Sequence, residues 1–593
     1  MGTNLRVAAL SFGVAVASLA LVSACGKSAK NDGPATANGD PGGAGDTGDA
    51  GGAGSVGGAD TGGAGEVACD GDPVVLPKRI VRLSFSQLSS TIRALFDDTL
   101  GRQIDRDFEI GTGAPYARSF PPLASPGEGS VIGGTLLSVY DQIAAAAGEY
   151  TLAHLDTVTP CGAEPTEACA SAFVTAFAER AFRRPLTEAE TISLAKFYTE
   201  VKGNARTVAE AIQYTLYGLL HSPQLLYRTE LGADQAQAGP LTPHELASEL
   251  SYFLTDGPPD QDLLDAAKRG ELTTKSEITP HVARILLTSS AQKNLEGAMF
   301  SYLRLDNLVT VKIDDRGFTN GTSERPYLGV RESAYRESQL FLERVLWGSR
   351  LGELLTARTS AINTTLAALY GITLPKTPAD EAQFVNVELP PTRGGLLTQV
   401  AFLASRSRPD GDDSVVGRGL AINAALLCAT NPPFPDDPTI VEDVMKRPGH
   451  TASAREQAEY RSDTEPCGDC HRLFDAYGLS LHTYDLIGRY RTTDAQGREI
   501  DASVTLPANA GGGLAKDAID MARQIADSPA FTSCMAKNFF NWALAEGAYV
   551  TPSSCSTRSV VAGFEASDRT FSDLLREIAV SEGFTRRSAG VSQ

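Results

Sequence analysis

From about residue 78 onwards, apolar side chains recur with the spacing of amphipathic helices. The segment "RIVRLSFSQLSSTIRALFDD" places four apolar side chains on one helical face: Leu88, Ile92, Leu95 and Phe96. A repeat of three to four residues is typical of a helix that buries one side. Similar segments follow along the chain, whereas the strict alternation that predicts a strand is scarce. The pattern therefore predicts a mainly α fold.

Two of these segments also carry signals for the start of a helix. Thr187 is followed three residues later by Glu190, which is the spacing of a capping box, and Pro185 ends the preceding helical pattern. Thr242 and Glu245 repeat this spacing, with a proline between them at the first helical position. We therefore expect helices to begin directly after Thr187 and Thr242.

Breaks in the helical pattern divide the chain into small modules. No fixed repeat length relates them, so a solenoid is not predicted. We expect several small helical modules in tandem: 78–150, 151–235 with the motif FRRPLT, 236–387, 388–514 with a C-x-x-C-H motif, and 515–593.

The first residues have the pattern of a targeting segment. Arg6 precedes an apolar run that ends in "LVSAC", which is similar to a bacterial lipobox, so residues 1–25 are predicted to be a lipoprotein signal peptide with Cys25 as the lipidated residue. An ordinary secretory signal is the alternative. Residues 26–77 are rich in Gly, Ala and Asp, which predicts a flexible, disordered linker.

These features predict an exported protein at the outer membrane, the cell surface or in the periplasm. No later stretch of the sequence is long and apolar enough to span a bilayer, so the membrane contact is expected only through the N-terminal lipid. The 593-residue chain has a formal net charge of −20, which argues against nucleic acid as a partner.

Export to an oxidising compartment favours disulfides among the cysteines. By sequence proximity, the expected pairs are Cys161–Cys169 and Cys534–Cys555. Two further cysteines, Cys69 and Cys428, could pair with each other or stay free.

The stretch "TEPCGDCHRLFDAYG" contains the pattern C-x-x-C-H, formed by Cys467, Cys470 and His471. This spacing is the attachment signature of c-type haem, in which both sulfurs form thioethers and the adjacent histidine binds iron. We expect one covalent haem c per chain. A zinc site would need a second ligand pair, and none occurs. A structural disulfide or redox dithiol remains an alternative.

The sixth ligand of the haem iron is not identified by the sequence. Met521 and Met535 lie downstream at a distance that a small cytochrome could use, although each also fits a core-filling role. His482 lies too near to His471 in sequence to reach the opposite haem face easily. Arg489 and Arg491 could pair with haem propionates, or be surface charges.

The segment "CGDCHRLFDAYGLSLHTYDLIGRYR" resembles the haem-type module of large exported proteins, abundant in planctomycetes and myxobacteria, built from tandem domains of unknown function (DUF1592 with its companions DUF1587, DUF1595, DUF1588 and DUF1585). "FAERAFRRPLTEAE", "LTPHELASELSYFL" and "FTSCMAKNFFNWALAEG" are similar to other modules of that family. The resemblance covers nearly everything from residue 78 and implies a cytochrome c-like module on a helical scaffold. His482 and Val415 depart from the family pattern but leave the haem motif intact.

The expected function is electron transfer at the cell envelope by a lipid-anchored c-type haem protein. Its partner would be a redox protein or a small-molecule electron donor or acceptor. Two alternatives stay open: a surface scaffold lipoprotein with the motif as a structural disulfide, and a haem oxidoreductase with an open axial site.

Overall fold

A computed structural model describes residues 76–108, 134–310, 329–375, 383–407, 415–430, 452–465, 467–545, 551 and 554–591. These residues belong to one compact unit that begins at residue 64. The predicted signal peptide, Cys25 and the predicted linker up to residue 75 lie outside the described residues. Within the described part, we find no helix long and apolar enough to cross a membrane.

The predicted mainly α fold is confirmed, and so are both predicted helix starts. The Thr187 hydroxyl accepts from the Glu190 backbone N–H, while the Glu190 carboxylate accepts from the Thr187 backbone N–H. Thr242 and Glu245 form the same reciprocal pair, with proline at the first helical position. Each box satisfies backbone donors that the first helical turn leaves unpaired.

A first hydrophobic core lies between helices of the N-terminal part of the described chain. Its buried side chains run from Phe85 to Leu226. The helices of this part are Phe85–Leu95, Asp98–Asp107, Gly134–Ala153, Leu155–Val158, Glu167–Phe182, Glu188–Asn204, Val208–Leu220 and Pro223–Leu226.

A second, larger core is shared by residues from the predicted modules 236–387, 388–514 and 515–593. Its helices before the C-x-x-C-H motif are Pro243–Thr255, Gln261–Arg269, Lys275–Leu286, Ser289–Tyr302, Asn307–Thr310, Val330–Gly348, Glu353–Thr356, Thr364–Tyr370, Val400–Ala404, Val415–Leu427 and Ala454–Asp463. The motif and the residues after it form the helices Gly468–Ser480, Ala518–Ala526, Pro529–Ala543, Cys555–Glu565, Phe571–Ala579 and Glu582–Thr585.

Short strands join distant parts of the chain. They are β1 (Pro77–Arg82), β2 (Tyr227–Glu230), β3 (Gly239–Pro240), β4 (Thr359–Ile362), β5 (Val385–Glu388), β6 (Val504–Thr505), β7 (Leu514–Ala515) and β8 (Arg586–Val591). One sheet has the order β2–β1–β8–β3, with β1 parallel to β8 and antiparallel to β2. The first and last described strands are therefore hydrogen-bonded neighbours.

Charged side chains from three strands of this sheet meet in its interior. Arg79 on β1 lies opposite Glu230 on β2, and its Nε donates to a Glu230 carboxylate oxygen at 2.8 Å. Arg587 on β8 donates to the same oxygen at 2.5 Å. Glu230 is fully buried and both arginines are nearly so. Buried charges of this kind need their partners, because water cannot replace them.

The disulfides confirm one predicted pair and contradict the other. Cys161 and Cys169 are bonded as predicted. The predicted Cys534–Cys555 pair is wrong, because Cys534 is bonded to Cys428, 106 residues earlier. Cys428 directly follows the helix Val415–Leu427, which we call the supporting helix. This helix packs on the helix Pro529–Ala543, which carries Cys534. Spatial packing overrides sequence proximity here. Cys555 is also disulfide-bonded, but not to Cys534.

Glu337 is a buried carboxylate in the helix Val330–Gly348. It accepts a hydrogen bond from the Tyr370 hydroxyl at 2.6 Å and from the Ser360 hydroxyl at 2.8 Å. The Arg393 guanidinium carbon lies 3.9 Å from the centre of the Tyr370 ring. Burial, opposed by these hydrogen bonds and by Arg393, raises the pKa of Glu337 to about 7.

This raised pKa predicts a specific pH dependence of stability. The folded state binds the Glu337 proton more tightly than the unfolded state does, so the stabilisation is fully present below pH ~4.5 and is lost as pH rises to about 7. As pH rises between these two values, we expect the free energy of unfolding of the wild type to fall by about 2–3 kcal/mol relative to that of Glu337→Gln. Urea unfolding of both proteins at pH 5 and pH 8 measures this difference. Parallel stability curves would contradict the prediction.

Candidate haem site

The C-x-x-C-H motif occupies the start of the motif helix (Gly468–Ser480). Cys467 is the N-cap residue, and its carbonyl accepts backbone hydrogen bonds from Cys470 at 3.1 Å and His471 at 3.0 Å. The first helical turn therefore holds both sulfurs and the imidazole close together. Both cysteines are free thiols and partly exposed.

These two thiols differ from all other cysteines that the structure describes. Those others are all disulfide-bonded: Cys161, Cys169, Cys428, Cys534 and Cys555. Burial raises the pKa of the Cys467 thiol, with a further upward effect from Glu465. It also raises the pKa of the Cys470 thiol, where Asp469 adds to it. Redox dithiols normally have lowered thiol pKa values, so this environment is unlike theirs.

His471 is held by a buried ion pair. Its Nδ1 lies 3.0 Å from Oδ1 of Asp475, one turn further along the helix. The other carboxylate oxygen of Asp475 accepts from Nε of Arg461 at 3.0 Å. Asp475 is 2% exposed and Arg461 is 8% exposed. The Phe474 ring centre lies 5.1 Å from that of His471.

This donor set fits a covalently attached haem. Two free thiols lie within one turn, and the hydrogen bond at Nδ1 leaves Nε2 of His471 as the nitrogen that would bind iron. Histidines that bind metals commonly donate their other N–H to a carboxylate. In the described residues, the motif included, no cluster of three or more His, Cys, Asp or Glu side chains is arranged to hold a metal ion by itself.

Two glycines let the supporting helix lie directly against the motif helix. A Cβ on Gly419 would lie 2.1 Å from the Phe474 carbonyl oxygen, and one on Gly478 would lie 1.8 Å from the Val415 carbonyl oxygen. Both distances are far inside van der Waals contact. Only glycine fits either position at this separation of the two helix backbones.

Arg418 fixes the far end of the motif helix. Its side chain is fully buried and donates to the carbonyls of Leu481 at 3.1 Å, Tyr484 at 2.7 Å and Asp485 at 2.6 Å. Leu481 is the C-cap residue of the motif helix, and Tyr484 and Asp485 lie in the segment after it, so one guanidinium ties that segment to the helix end. The supporting helix thus positions the motif through its glycines and through this arginine.

The other sequence candidates lie in different surroundings. Met521 and Met535 are fully buried in the second core, the environment expected of core fillers, and their role as iron ligands stays a prediction. Arg489 donates to Asp485 at 2.5 Å, and Arg491 lies 3.4 Å from Nδ1 of His482. Both arginines therefore have partners within the protein.

Sequence reasoning missed the residues that support the motif. Asp475 follows His471 by four residues, a spacing that places both on one helical face, so the pair could have been found. Arg461 gave no such signal, because it reaches Asp475 from another helix, Ala454–Asp463. Gly419 likewise depends on a helix contact that spacing does not reveal.

Comparisons with known proteins match three consecutive parts of the chain to family models. Residues 169–230 match PSD5, a protein of unknown function (DUF1595), and residues 241–372 match PSD4, a protein of unknown function (DUF1592). Residues 393–494, which include the C-x-x-C-H motif, match PSCyt3, a protein of unknown function (DUF1588). No curated protein and no solved structure matches the chain. The chain therefore carries segments that match DUF1595, DUF1592 and DUF1588 in tandem, as the sequence resemblance predicts.

Proposed function

We propose that this protein is an exported, lipid-anchored c-type haem protein that transfers electrons at the cell envelope. The observation that carries the proposal is the pair of free thiols, Cys467 and Cys470, beside His471 in a chain whose other described cysteines are oxidised. The name of the matching family, PSCyt3, agrees with a cytochrome-like module.

Each residue of the motif has a distinct role in this proposal. Cys467 and Cys470 would form the two thioether bonds, and His471 would bind the iron through Nε2. When bound, haem c supplies an iron that accepts and releases one electron. Asp475 orients His471 through a hydrogen bond, and the supporting helix packs against the motif helix.

The cellular setting of the proposal comes from the N-terminal sequence. Lipidation at Cys25 and the linker 26–77 would tether the helical body to a membrane surface. The partner would be a redox protein or a small-molecule donor or acceptor. With a net charge of −20, the chain is better suited to partners other than nucleic acid.

Expression of the full chain together with c-type haem maturation machinery tests the proposal. The reduced pyridine haemochrome spectrum of the denatured protein should show one covalently attached haem per chain. In the matched variant Cys467→Ser/Cys470→Ser, haem should be lost completely on denaturation, because no thioether can form. Wild-type protein without covalent haem, and with Cys467 bonded to Cys470, would contradict the proposal and favour a structural disulfide.

A further inference from the structure

We propose that Asp475 lowers the reduction potential of the haem site by acting on His471 as a positioning residue. This inference rests on the proposed function. It adds which oxidation state of the iron the protein stabilises and which class of partner that requires.

The hydrogen bond fixes the orientation of the imidazole. Nδ1 of His471 and Oδ1 of Asp475 are 3.0 Å apart, and a carboxylate paired with arginine can only accept. Nδ1 therefore carries the proton and Nε2 is the free nitrogen. The nearby Phe474 ring packs against the imidazole and restricts its rotation.

Burial makes the carboxylate a strong acceptor. Asp475 is 2% exposed, so water does not compete for Oδ1. A hydrogen bond to an ionised group in a low-dielectric setting is stronger than one to a neutral carbonyl. It draws the Nδ1 proton towards the carboxylate and increases the electron density at Nε2, so His471 becomes a stronger donor to iron.

A stronger donor stabilises the more highly charged ferric iron. Hydrogen bonds around the axial ligand are among the main means by which a protein sets haem potential. Reduction of the ferric site takes one electron from the partner; no bond forms or breaks, and the Nδ1 proton stays on His471. The partner that reduces this site must therefore be a one-electron donor of lower potential than a site without the Asp475 hydrogen bond would require.

Arg461 limits the effect by balancing the carboxylate charge. Its guanidinium donates to Oδ2, the oxygen that His471 does not use. His471 and Arg461 bind different oxygens of the Asp475 carboxylate, so each hydrogen bond can be altered separately. Removal of Arg461 should then shift the potential in the opposite direction to removal of the Asp475 charge.

Spectroelectrochemical titration of the haem-loaded full chain tests the inference. We expect Asp475→Asn to shift the reduction potential to more positive values and Arg461→Gln to shift it to more negative values. Asp469→Asn is the matched control, because it removes an equal charge from an exposed position on the same helix, two residues before His471. Its shift should be much smaller. Asp475→Glu, which keeps the acceptor, should recover most of the wild-type potential.

A second readout does not need haem. Nitrogen-15 NMR of the apo protein at alkaline pH should show neutral His471 almost entirely as the Nδ1–H tautomer, and a mixture of tautomers in Asp475→Asn. Equal potential shifts in Asp475→Asn and Asp469→Asn, or unchanged tautomers, would overturn the inference while leaving the proposed function intact. Absence of covalent haem in the wild type would overturn both.

Discussion

Replacement of Glu230 by glutamine is expected to lower the free energy of unfolding by about 3–5 kcal/mol. The carboxylate accepts from Arg79 at 2.8 Å and from Arg587 at 2.5 Å, and it is fully buried. Burial by itself would raise the pKa of Glu230, but the two guanidinium groups outweigh it and lower the pKa. With the neutral amide, the buried guanidinium groups of Arg79 and Arg587 would lose the carboxylate that pairs with them directly.

The effect should spread beyond one contact, because the three residues lie on strands from distant parts of the chain. Urea unfolding at neutral pH measures it. Because the pKa of Glu230 is lowered in the folded state, the greater stability of the wild type over Glu230→Gln is present above the pKa that this carboxyl has in the unfolded chain. This extra stability is lost as pH falls below that value. Glu271→Gln is the matched control: Glu271 pairs with Arg269 at 2.8 Å on the surface, where solvent screens the charges and the pair contributes little to stability. Similar losses in the two variants would contradict the argument.

The second large effect is expected where the supporting helix meets the motif helix. Gly478→Ala would place a methyl group 1.8 Å from the Val415 carbonyl oxygen, and Gly419→Ala would place one 2.1 Å from the Phe474 carbonyl oxygen. Alanine favours a helix over glycine by up to about 1 kcal/mol. The clash is with backbone on both sides, so it should outweigh this gain and cost about 3 kcal/mol.

Thermal unfolding measures this second effect. Each glycine variant should melt at a lower temperature, because the helices must separate. Gly297→Ala is the control, since it lies within an exposed part of the helix Ser289–Tyr302 and its added Cβ meets nothing within 4 Å. It should leave the protein equally stable or slightly more so. A stable Gly478→Ala protein would contradict the close packing of the two helices.

Local sequence signals were sufficient for helices and their starts. Thr187 and Thr242 form the expected capping boxes, because a cap depends only on residues three positions apart. The bonded pair Cys161–Cys169 was also within reach, because it closes a short loop. The strands were not predicted, because they are only two to six residues long, and those of the sheet β2–β1–β8–β3 pair with partners more than one hundred residues away.

The candidate site also combines residues that the sequence identifies with contacts that only the tertiary structure shows. Cys467, Cys470 and His471 are a candidate site by their spacing alone, and the structure places them at the start of one helix. The pairing of Cys534 with Cys428 could not, because it depends on how the helices that hold these cysteines pack. The contact of Arg461 with Asp475 could not be predicted either, because the two residues lie on separate helices.

The sequence by itself determined the mainly helical fold, the matches to three domain families and the C-x-x-C-H spacing of the candidate site. Periodicity, capping and the C-x-x-C-H spacing are local properties that act over a few residues. Only the tertiary structure decided which thiols stay free, which helix packs against the motif helix and which strands enclose Glu230. These depend on contacts between segments far apart in the chain, and burial there gives hydrogen bonds and ion pairs their strength by excluding water.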